Sequence, residues 1–148
     1  MTRYNENILY CLSNIISMFE VVAAIIKVKN KYLCCQRKKN KFNYLSEKYE
    51  FPGGKVENNE TMEEALKREI KEELDLNISI DRFFKTINYS YPDFDIKMHV
   101  FFCSLKNFNI TLNDHLSYKL LELEQLNLIN WVPADLELIK SLQEYNGF

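Results

Sequence analysis

The residues with the clearest potential for chemistry are three carboxylates on one short segment, Glu69, Glu72 and Glu73. A capping-box pattern at Thr61–Glu64 predicts a helix from about Met62 to Leu74. At about 100° per residue, Glu69 and Glu73 fall inside the arc of the apolar helix residues, and Glu72 falls at its edge. We therefore expect these carboxylates to face the core side of the helix.

Carboxylates that face inward lose hydration and repel one another, which raises their pKa unless a cation compensates. Oxygen ligands in this number suit Mg²⁺, with Mn²⁺ as the alternative, better than zinc, and Mg²⁺ usually shares its coordination with waters and phosphates. The preceding Gly53 and Gly54 would allow close backbone approach and dihedrals closed to other residues. The pattern predicts a magnesium site.

A simpler alternative is a solvated acidic helix with i,i+4 pairs, Glu63 with Lys67 and Glu64 with Arg68. Likewise, Pro-Gly-Gly at 52–54 could be only a turn signal. The inward phase of the carboxylates and the glycines just before them favour a site over both alternatives.

This stretch resembles the Nudix box, G-x5-E-x7-R-E-U-x-E-E-x-G-U, where U is aliphatic. The matching residues are Gly54, Glu60, Arg68, Glu69, Ile70, Glu72, Glu73 and Leu76. One position departs, because Asp75 stands where the family has glycine. Aspartate tolerates the left-handed conformation that ends such a helix, so we expect a slightly strained helix end and retained activity.

The string EFPGGKVE at 50–57 and Pro-Ala-Asp at 133–135 are similar to those of MutT-like Nudix hydrolases. The resemblance implies an α/β fold, an α/β/α sandwich with a mixed β-sheet between helices. It also implies Mg²⁺-dependent hydrolysis of a nucleoside triphosphate to monophosphate and pyrophosphate. The implied substrate is 8-oxo-dGTP, in nucleotide-pool sanitation, with CTP or 5-methyl-dCTP as the alternative. Two other functions are less favoured alternatives. One is hydrolysis of ADP-ribose or dinucleoside polyphosphates, and the other is nucleotide binding by a non-catalytic module.

The resemblance also implies residue roles. Glu69, Glu72 and Glu73 would bind the metal together with the Gly53 carbonyl, with Glu69 as general base. Arg68 would orient the carboxylates by salt bridges, and Glu60 would support the junction between loop and helix. The residues expected to bind substrate are Arg37, Phe51, Gly54, Lys55, Glu57 and Asp135.

Four side chains, two of them histidines, have roles that the sequence leaves open. The resemblance implies that Asp135 recognises the edge of the nucleobase, whereas helix statistics alone make it an ordinary N-cap. Asp114 and His115 are similar to a Glu-His pair of related enzymes. By this resemblance Asp114 would add a carboxylate to the metal site. His99, alone in a strand, is expected to be a structural residue.

Sequence patterns predict the elements that position these groups. The run 21–28 fits a strand buried on both faces, 32–37 a second strand, and 83–91 with 94–103 a hairpin. A helix should begin near Pro133, with its apolar positions at Leu136, Leu138, Ile139, Leu142 and Tyr145. The aromatic residues expected in the core are mostly Phe83, Phe84, Phe101 and Phe102.

Length and composition allow one domain, at 19–148, preceded by an extension at 1–18. A formal net charge of −2 offers no basic surface for polymeric nucleic acid, so the expected partner is a small nucleotide, bound by a monomer or homodimer. Four cysteines without metal spacing suggest buried thiols in a reducing, cytoplasmic compartment. The apolar run 8–28 contains polar interruptions, so we expect no membrane span.

Overall fold

The computed structural model describes residues 17–145. The strands of this part of the chain are β1 (Ser17–Val28), β2 (Lys31–Gln36), β3 (Tyr49–Glu50), β4 (Gly53–Lys55), β5 (Ile78–Ser90), β6 (Phe94–Leu105) and β7 (Ser117–Leu121). The helices are α1 (Met62–Leu74), a 3₁₀ helix (Leu123–Leu128) and α2 (Pro133–Glu144). The sheet order is β3-β2-β1-β6-β5, with β4 paired to β1 and β7 paired to β2. Since β1 and β6 are parallel and the other paired strands antiparallel, the sheet is mixed.

Strand β1 is the centre of the sheet and separates two hydrophobic cores. Val22, Ala24 and Ile26 pack into the core that contains the apolar residues of α1. Ala23 and Ile25 point the other way, into the core that contains those of α2. The expected burial of this strand on both faces is confirmed, as is the arrangement of a mixed sheet between helices.

Helix α1 has the predicted bounds because its ends are specified locally. The Thr61 hydroxyl accepts from the Glu64 amide at 3.1 Å, and the Glu64 carboxylate accepts from the Thr61 amide at 3.2 Å, which completes the capping box. Glu64 is therefore engaged at the helix start. Arg68 turns toward other carboxylates, so the solvated helix with a Glu64–Arg68 pair is not the arrangement that forms.

The glycines of β4 are required by close packing. No glycine among the described residues has a positive φ, so the expectation of dihedrals closed to other residues was wrong. A Cβ at Gly53 would overlap the Val22 carbonyl, and one at Gly54 would overlap the Glu69 carboxylate. The absent side chains let β4 lie against β1 and let Glu69 lie against β4.

Strands β5 and β6 form the predicted hairpin, although β5 starts earlier, at Ile78, and runs unbroken. Two register shifts in this pair change which side chains face inward. Phe101 is buried, whereas Phe83 is 52 % exposed, so the core prediction was wrong for Phe83. In α2, Leu136 is likewise exposed.

The start of β1 bears on the expected boundary between the extension and the domain. Strand β1 begins at Ser17, so the last two residues of the expected extension pair with β6, and residues 1–16 lie outside the described part. The division between extension and domain stays a prediction. Within residues 17–145, no helix is long and apolar enough to cross a membrane.

The cysteines of this region are buried free thiols, as predicted, and Cys11 lies outside the described residues. Burial raises the pKa of Cys34 and of Cys103 to about 12. Such thiols are protonated and poor nucleophiles at neutral pH.

Asp75 ends α1 in the left-handed conformation, with φ 53° and ψ 37°, as expected for the position where the Nudix box has glycine. Replacing Asp75 by Gly should raise the free energy of unfolding by about 0.5 to 1 kcal/mol, since glycine adopts this conformation without a Cβ penalty. Urea unfolding followed by circular dichroism measures it. The control is Asp75→Asn, which removes the surface ion pair with Lys71 but keeps the tolerance of left-handed dihedrals. A loss of stability in Asp75→Gly would contradict the strain assignment.

Candidate active site

A cavity of about 1210 Å³ collects most of the residues expected to act on a substrate. Its walls come from β1, from the loop after β2, from β4, from α1, from the loop before β7 and from the start of α2. The predicted site residues that line it are Arg37, Phe51, Gly53, Gly54, Lys55, Glu57, Glu69, Glu73 and Asp135. Arg68 and Glu72 are not among the lining residues.

Arg68 holds the carboxylates in place from behind the cavity. Its Nε and Nη2 donate to the two oxygens of Glu60 at 2.9 and 2.6 Å, and its Nη1 donates to Glu69 at 2.9 Å. The hydrogen bonds to Glu60 are the main reason that the pKa of Arg68 is raised and that the pKa of Glu60 is lowered to about 2. The expected orienting role of Arg68 and the supporting role of Glu60 match this geometry.

Glu72 differs from the other two box carboxylates. Its side chain is 60 % exposed and pairs with Arg68 Nη1 at 3.3 Å. It lies at the edge of the helix face, as the helical phase predicted. Its assignment as a metal ligand stays a prediction.

Glu73 is a desolvated carboxyl group in this site. Its Oε2 atom is buried and has no hydrogen-bond partner in the part of the chain that the structure describes. Burial raises the pKa of Glu73 to about 9, with further contributions from the nearby carboxylates Glu50, Glu69 and Asp114. The sequence argument that inward carboxylates would need a compensating cation applies most directly to this side chain.

Residues 17–145 contain no ready-formed group of three His, Cys, Asp or Glu side chains in the arrangement of a metal centre. The residues present nevertheless fit a hard divalent cation. The available donors are all oxygen atoms, which suits such an ion. One buried oxygen of Glu73 lacks a hydrogen-bond partner among the described residues. Gly53 and Gly54 have no side chains, so the backbone of β4 lies close to β1 and to Glu69. The donors that would hold the ion are Glu69, Glu73 and the Gly53 carbonyl, with Asp114 nearby in the same lining. Glu72 lies outside the lining.

The loop before β7 is tied to the end of α1. The Thr111 amide donates to the Leu74 carbonyl at 2.9 Å, and the Asn113 amide donates to the Glu73 carbonyl at 3.0 Å. These bonds satisfy carbonyls that a helix end leaves open. As a result Asp114 lies close enough to raise the pKa of Glu73 and lines the cavity.

Glu50, which sequence reasoning did not select, joins Arg37 to His115. Arg37 Nη1 donates to Glu50 Oε1 at 2.7 Å, and His115 Nε2 donates to Glu50 Oε2 at 3.0 Å. Burial works to raise the pKa of Glu50, but the hydrogen bond from His115 and the charge of Arg37 outweigh it, and this pKa is lowered. The only sequence signal was its place at the head of the EFPGGKVE string.

Asp135 lies in the first turn of α2 and is 3 % exposed. The helix starts at Pro133 after Val132, so the alternative of Asp135 as the N-cap was wrong. Its Oδ2 instead accepts from the Phe51 amide at 2.7 Å. Burial, reinforced by the charge of Glu50, raises the pKa of Asp135 to about 8, although the Phe51 amide opposes the shift.

Phe51 is held by stacking on Trp131, with ring centroids 4.8 Å apart. The Trp131 Nε1 donates to the Leu126 carbonyl at 2.6 Å, and the Val132 amide donates to the Tyr49 carbonyl at 2.9 Å. These contacts fix the start of α2 against β3. They explain how Asp135 reaches a backbone amide 84 positions earlier in the chain.

Aromatic residues that sequence reasoning passed over form another wall of the cavity. Phe42, Tyr91 and Phe94 line it, and Tyr44 stacks on both Phe42 and Tyr91 at 5.3 and 5.1 Å between ring centroids. Tyr44 donates its hydroxyl hydrogen to Asp93 at 2.6 Å. These rings come from the loop after β2, from the β5–β6 turn and from the start of β6, so no local pattern joins them.

His99 lies outside this cavity lining, as expected for a structural histidine. Its Nε2 donates to Glu20 at 2.7 Å, and its Nδ1 accepts from the Thr86 hydroxyl at 2.8 Å. Both ring nitrogens are satisfied, which confirms the sequence expectation.

Comparison with known proteins gives a consistent picture. The model of the NUDIX domain family matches residues 18–142. The chain is 36% identical to an 8-oxo-dGTP diphosphatase of Buchnera aphidicola subsp. Schizaphis graminum over 124 residues, which is 84% of this chain and 92% of that protein. It is 30% identical to a CTP pyrophosphohydrolase of Escherichia coli over 126 residues, 84% of this chain and 90% of the relative.

A solved structure supports the same assignment. The solution structure of MutT, a Nudix hydrolase named as a DNA mismatch repair protein, from methicillin-resistant Staphylococcus aureus 252 superposes with a TM-score of 0.67 at 34% identity. The match covers 88% of this chain and all of that one. With the family match, the two relatives and the carboxylates of α1 in agreement, the chain belongs to the NUDIX domain family and is a Nudix hydrolase.

Proposed function

We propose that this Nudix hydrolase converts a nucleoside triphosphate to its monophosphate and pyrophosphate, with 8-oxo-dGTP as the substrate. The observation that carries the proposal is one cavity that joins the carboxylates of α1, the guanidinium of Arg37 and the buried acid of Asp135. A cavity of about 1210 Å³ exceeds the usual range for small-molecule pockets, so it has room for a whole nucleotide. The similarity to an 8-oxo-dGTP diphosphatase over most of both chains supports the choice of substrate.

The phosphates belong at the charged part of this cavity. Arg37 lines it, and a guanidinium is suited to bind phosphate oxygens through paired N–H donors. Lys55, with Lys38, Lys39 and Lys41 of the loop after β2, adds positive charge to the lining. Glu57 and Gly54 also line the cavity and are proposed to lie beside the phosphates.

The reaction adds water to phosphorus and breaks the phosphoanhydride bond between the α and β phosphates. The Gly53 carbonyl, Glu69, Glu72 and Glu73 would hold a Mg²⁺ ion, or Mn²⁺ in its place. The bound ion would supply positive charge against the phosphate oxygens and lower the pKa of a water. Glu69 is the proposed general base, since its carboxylate lines the cavity. Arg68 keeps that carboxylate oriented through the bond at 2.9 Å.

Asp135 favours 8-oxo-dGTP over the cytosine substrates. Its Oδ2 already accepts from Phe51, so its other oxygen is the one that can meet a base. With a pKa of about 8 the group is protonated at neutral pH and donates a hydrogen bond. A donor matches the O6 acceptor of an oxidised guanine, whereas the exocyclic amino group of cytosine needs an acceptor.

A cytosine triphosphate is the second candidate substrate, favoured by the similarity to a CTP pyrophosphohydrolase. The two relatives cover the same share of this chain. The ionised form of Asp135 would accept from the cytosine amino group, so the protonation state of this one side chain separates the two substrates.

The proposed activity is tested by measuring pyrophosphate release, with Mg²⁺ present, from 8-oxo-dGTP, dGTP, CTP, 5-methyl-dCTP, ADP-ribose and diadenosine tetraphosphate. The highest kcat/KM is expected for 8-oxo-dGTP. Replacing Glu73 by Gln should lower kcat by about a thousandfold or more, because it removes a proposed metal carboxylate. Glu63→Gln is the matched control on the exposed face of the same helix and should keep wild-type turnover. A preference for the cytosine nucleotides would replace the substrate assignment, and no turnover of any triphosphate would refute the proposed reaction.

The pH dependence of substrate preference tests the role of Asp135. Between about pH 7 and about pH 9, the ratio of kcat/KM for 8-oxo-dGTP to that for CTP should fall about tenfold, because the carboxyl group loses its donor hydrogen as pH rises through its pKa. Using a ratio cancels titrations that affect both substrates equally. The control is Asp135→Asn, whose amide is a donor at every pH, so any remaining trend reports the substrates themselves. Equal pH trends in the wild type and in this variant would contradict the assignment.

A further inference from the structure

The Arg37–Glu50–His115 bridge is a built arrangement whose members come from three separate segments. Arg37 follows β2, Glu50 ends β3 and His115 lies in the loop before β7. Both oxygens of Glu50 are engaged, one by Arg37 at 2.7 Å and the other by His115 at 3.0 Å. The carboxylate is 15 % exposed and the histidine side chain 3 % exposed.

The backbones that carry the bridge are fixed by pairing. Glu50 pairs with Cys35 across β2 and β3, and the Arg37 amide donates to the Lys48 carbonyl at 2.9 Å. The Leu116 amide donates to the Gln36 carbonyl at 2.9 Å, which anchors the residue after His115. Since all three attachment points are held, the direction of the Glu50 carboxylate is defined from two sides.

Electrostatics indicates that Glu50 serves the site more than the stability of the fold. Its negative charge raises the pKa values of Glu73 and Asp135, so it adds repulsion where carboxyl groups are already crowded. The Arg37 side chain is 32 % exposed, and an ion pair, whether exposed or buried, is in general a weak source of stability. What Glu50 does achieve is a fixed guanidinium, because it binds Nη1 of Arg37 while the arginine side chain still lines the cavity.

We propose that Glu50 is a positioning residue that aims Arg37 at the phosphates of the substrate, and that His115 locks Glu50 in the orientation this requires. Because both of its oxygens are engaged, Glu50 acts through Arg37 and not as a ligand of its own. This inference rests on the proposed function, since it assumes that Arg37 meets a phosphate. Holding a donor in its bound geometry lowers the entropy lost on binding.

The test is a double-mutant cycle on KM with the full-length protein and its best triphosphate. Glu50→Gln should raise KM about tenfold and change kcat less than about threefold, because the amide keeps the shape but not the charge that orients Arg37. In an Arg37→Ala background the same substitution should change KM less than about twofold, since its target is gone. His115→Leu should raise KM in the same direction by a smaller factor, about threefold, because Glu50 keeps one of its two partners.

Two controls separate positioning from stability. Glu20→Gln changes the partner of His99, a carboxylate–histidine pair outside the cavity lining, and should leave KM unchanged. Glu50→Asp keeps the charge but shortens the reach, so it should raise KM like Glu50→Gln. It also provides the test if the glutamine variant fails to fold, with the folded state of each protein checked by thermal unfolding.

An equal effect of Glu50→Gln with and without Arg37, or an unchanged KM in a protein that turns over, would overturn the inference while leaving the proposed function intact. No turnover by the wild-type protein on any triphosphate would refute the proposed function and this inference together.

Discussion

A helix that turns carboxylates toward its own core side must compensate their desolvation, and much of the site is built around that requirement. Arg68 takes one oxygen of Glu69 and both oxygens of Glu60. Gly54 leaves the space that the Glu69 carboxylate fills. Glu73 receives no such compensation within residues 17–145, where its buried Oε2 has no hydrogen-bond partner. That imbalance is the reason we assign a divalent cation to this end of the cavity.

The other charges follow from the same crowding. Glu50 is buried near Glu73 and Asp135, and it stays ionised because Arg37 and His115 both donate to it. Asp135 lacks a cationic partner of that kind, and burial leaves it with a raised pKa. Glu50 is therefore an anion held between two donors, whereas Asp135 is a neutral acid at neutral pH. The difference between them comes from their neighbours and not from the residue type.

The features that could be predicted from the sequence are those decided locally. The capping box fixes the start of α1, Asp75 fixes its end, and the helical period gives the inward phase of Glu69 and Glu73. Of the two reasons predicted for Gly53 and Gly54, the special dihedrals were wrong. Their close contacts with β1 and α1 involve partners that meet only after folding. Glu50 was missed since its partners lie 13 and 65 positions away. Phe83 was misassigned because a register shift in the β5–β6 pair has no sequence signature of its own.

The central claim is that the buried carboxylate of Glu73 is unfavourable until a cation binds. Thermal unfolding of the wild type and of Glu73→Gln, each with and without Mg²⁺, tests it most directly. At about pH 7 and without metal the variant should unfold about 2 to 4 °C higher than the wild type, because Glu73, whose pKa is raised to about 9, must take up a proton to be buried, whereas glutamine is neutral at every pH. Millimolar Mg²⁺ should raise the midpoint of the wild type alone. A variant less stable than the wild type without metal, or equal stabilisation of both proteins by Mg²⁺, would contradict the account.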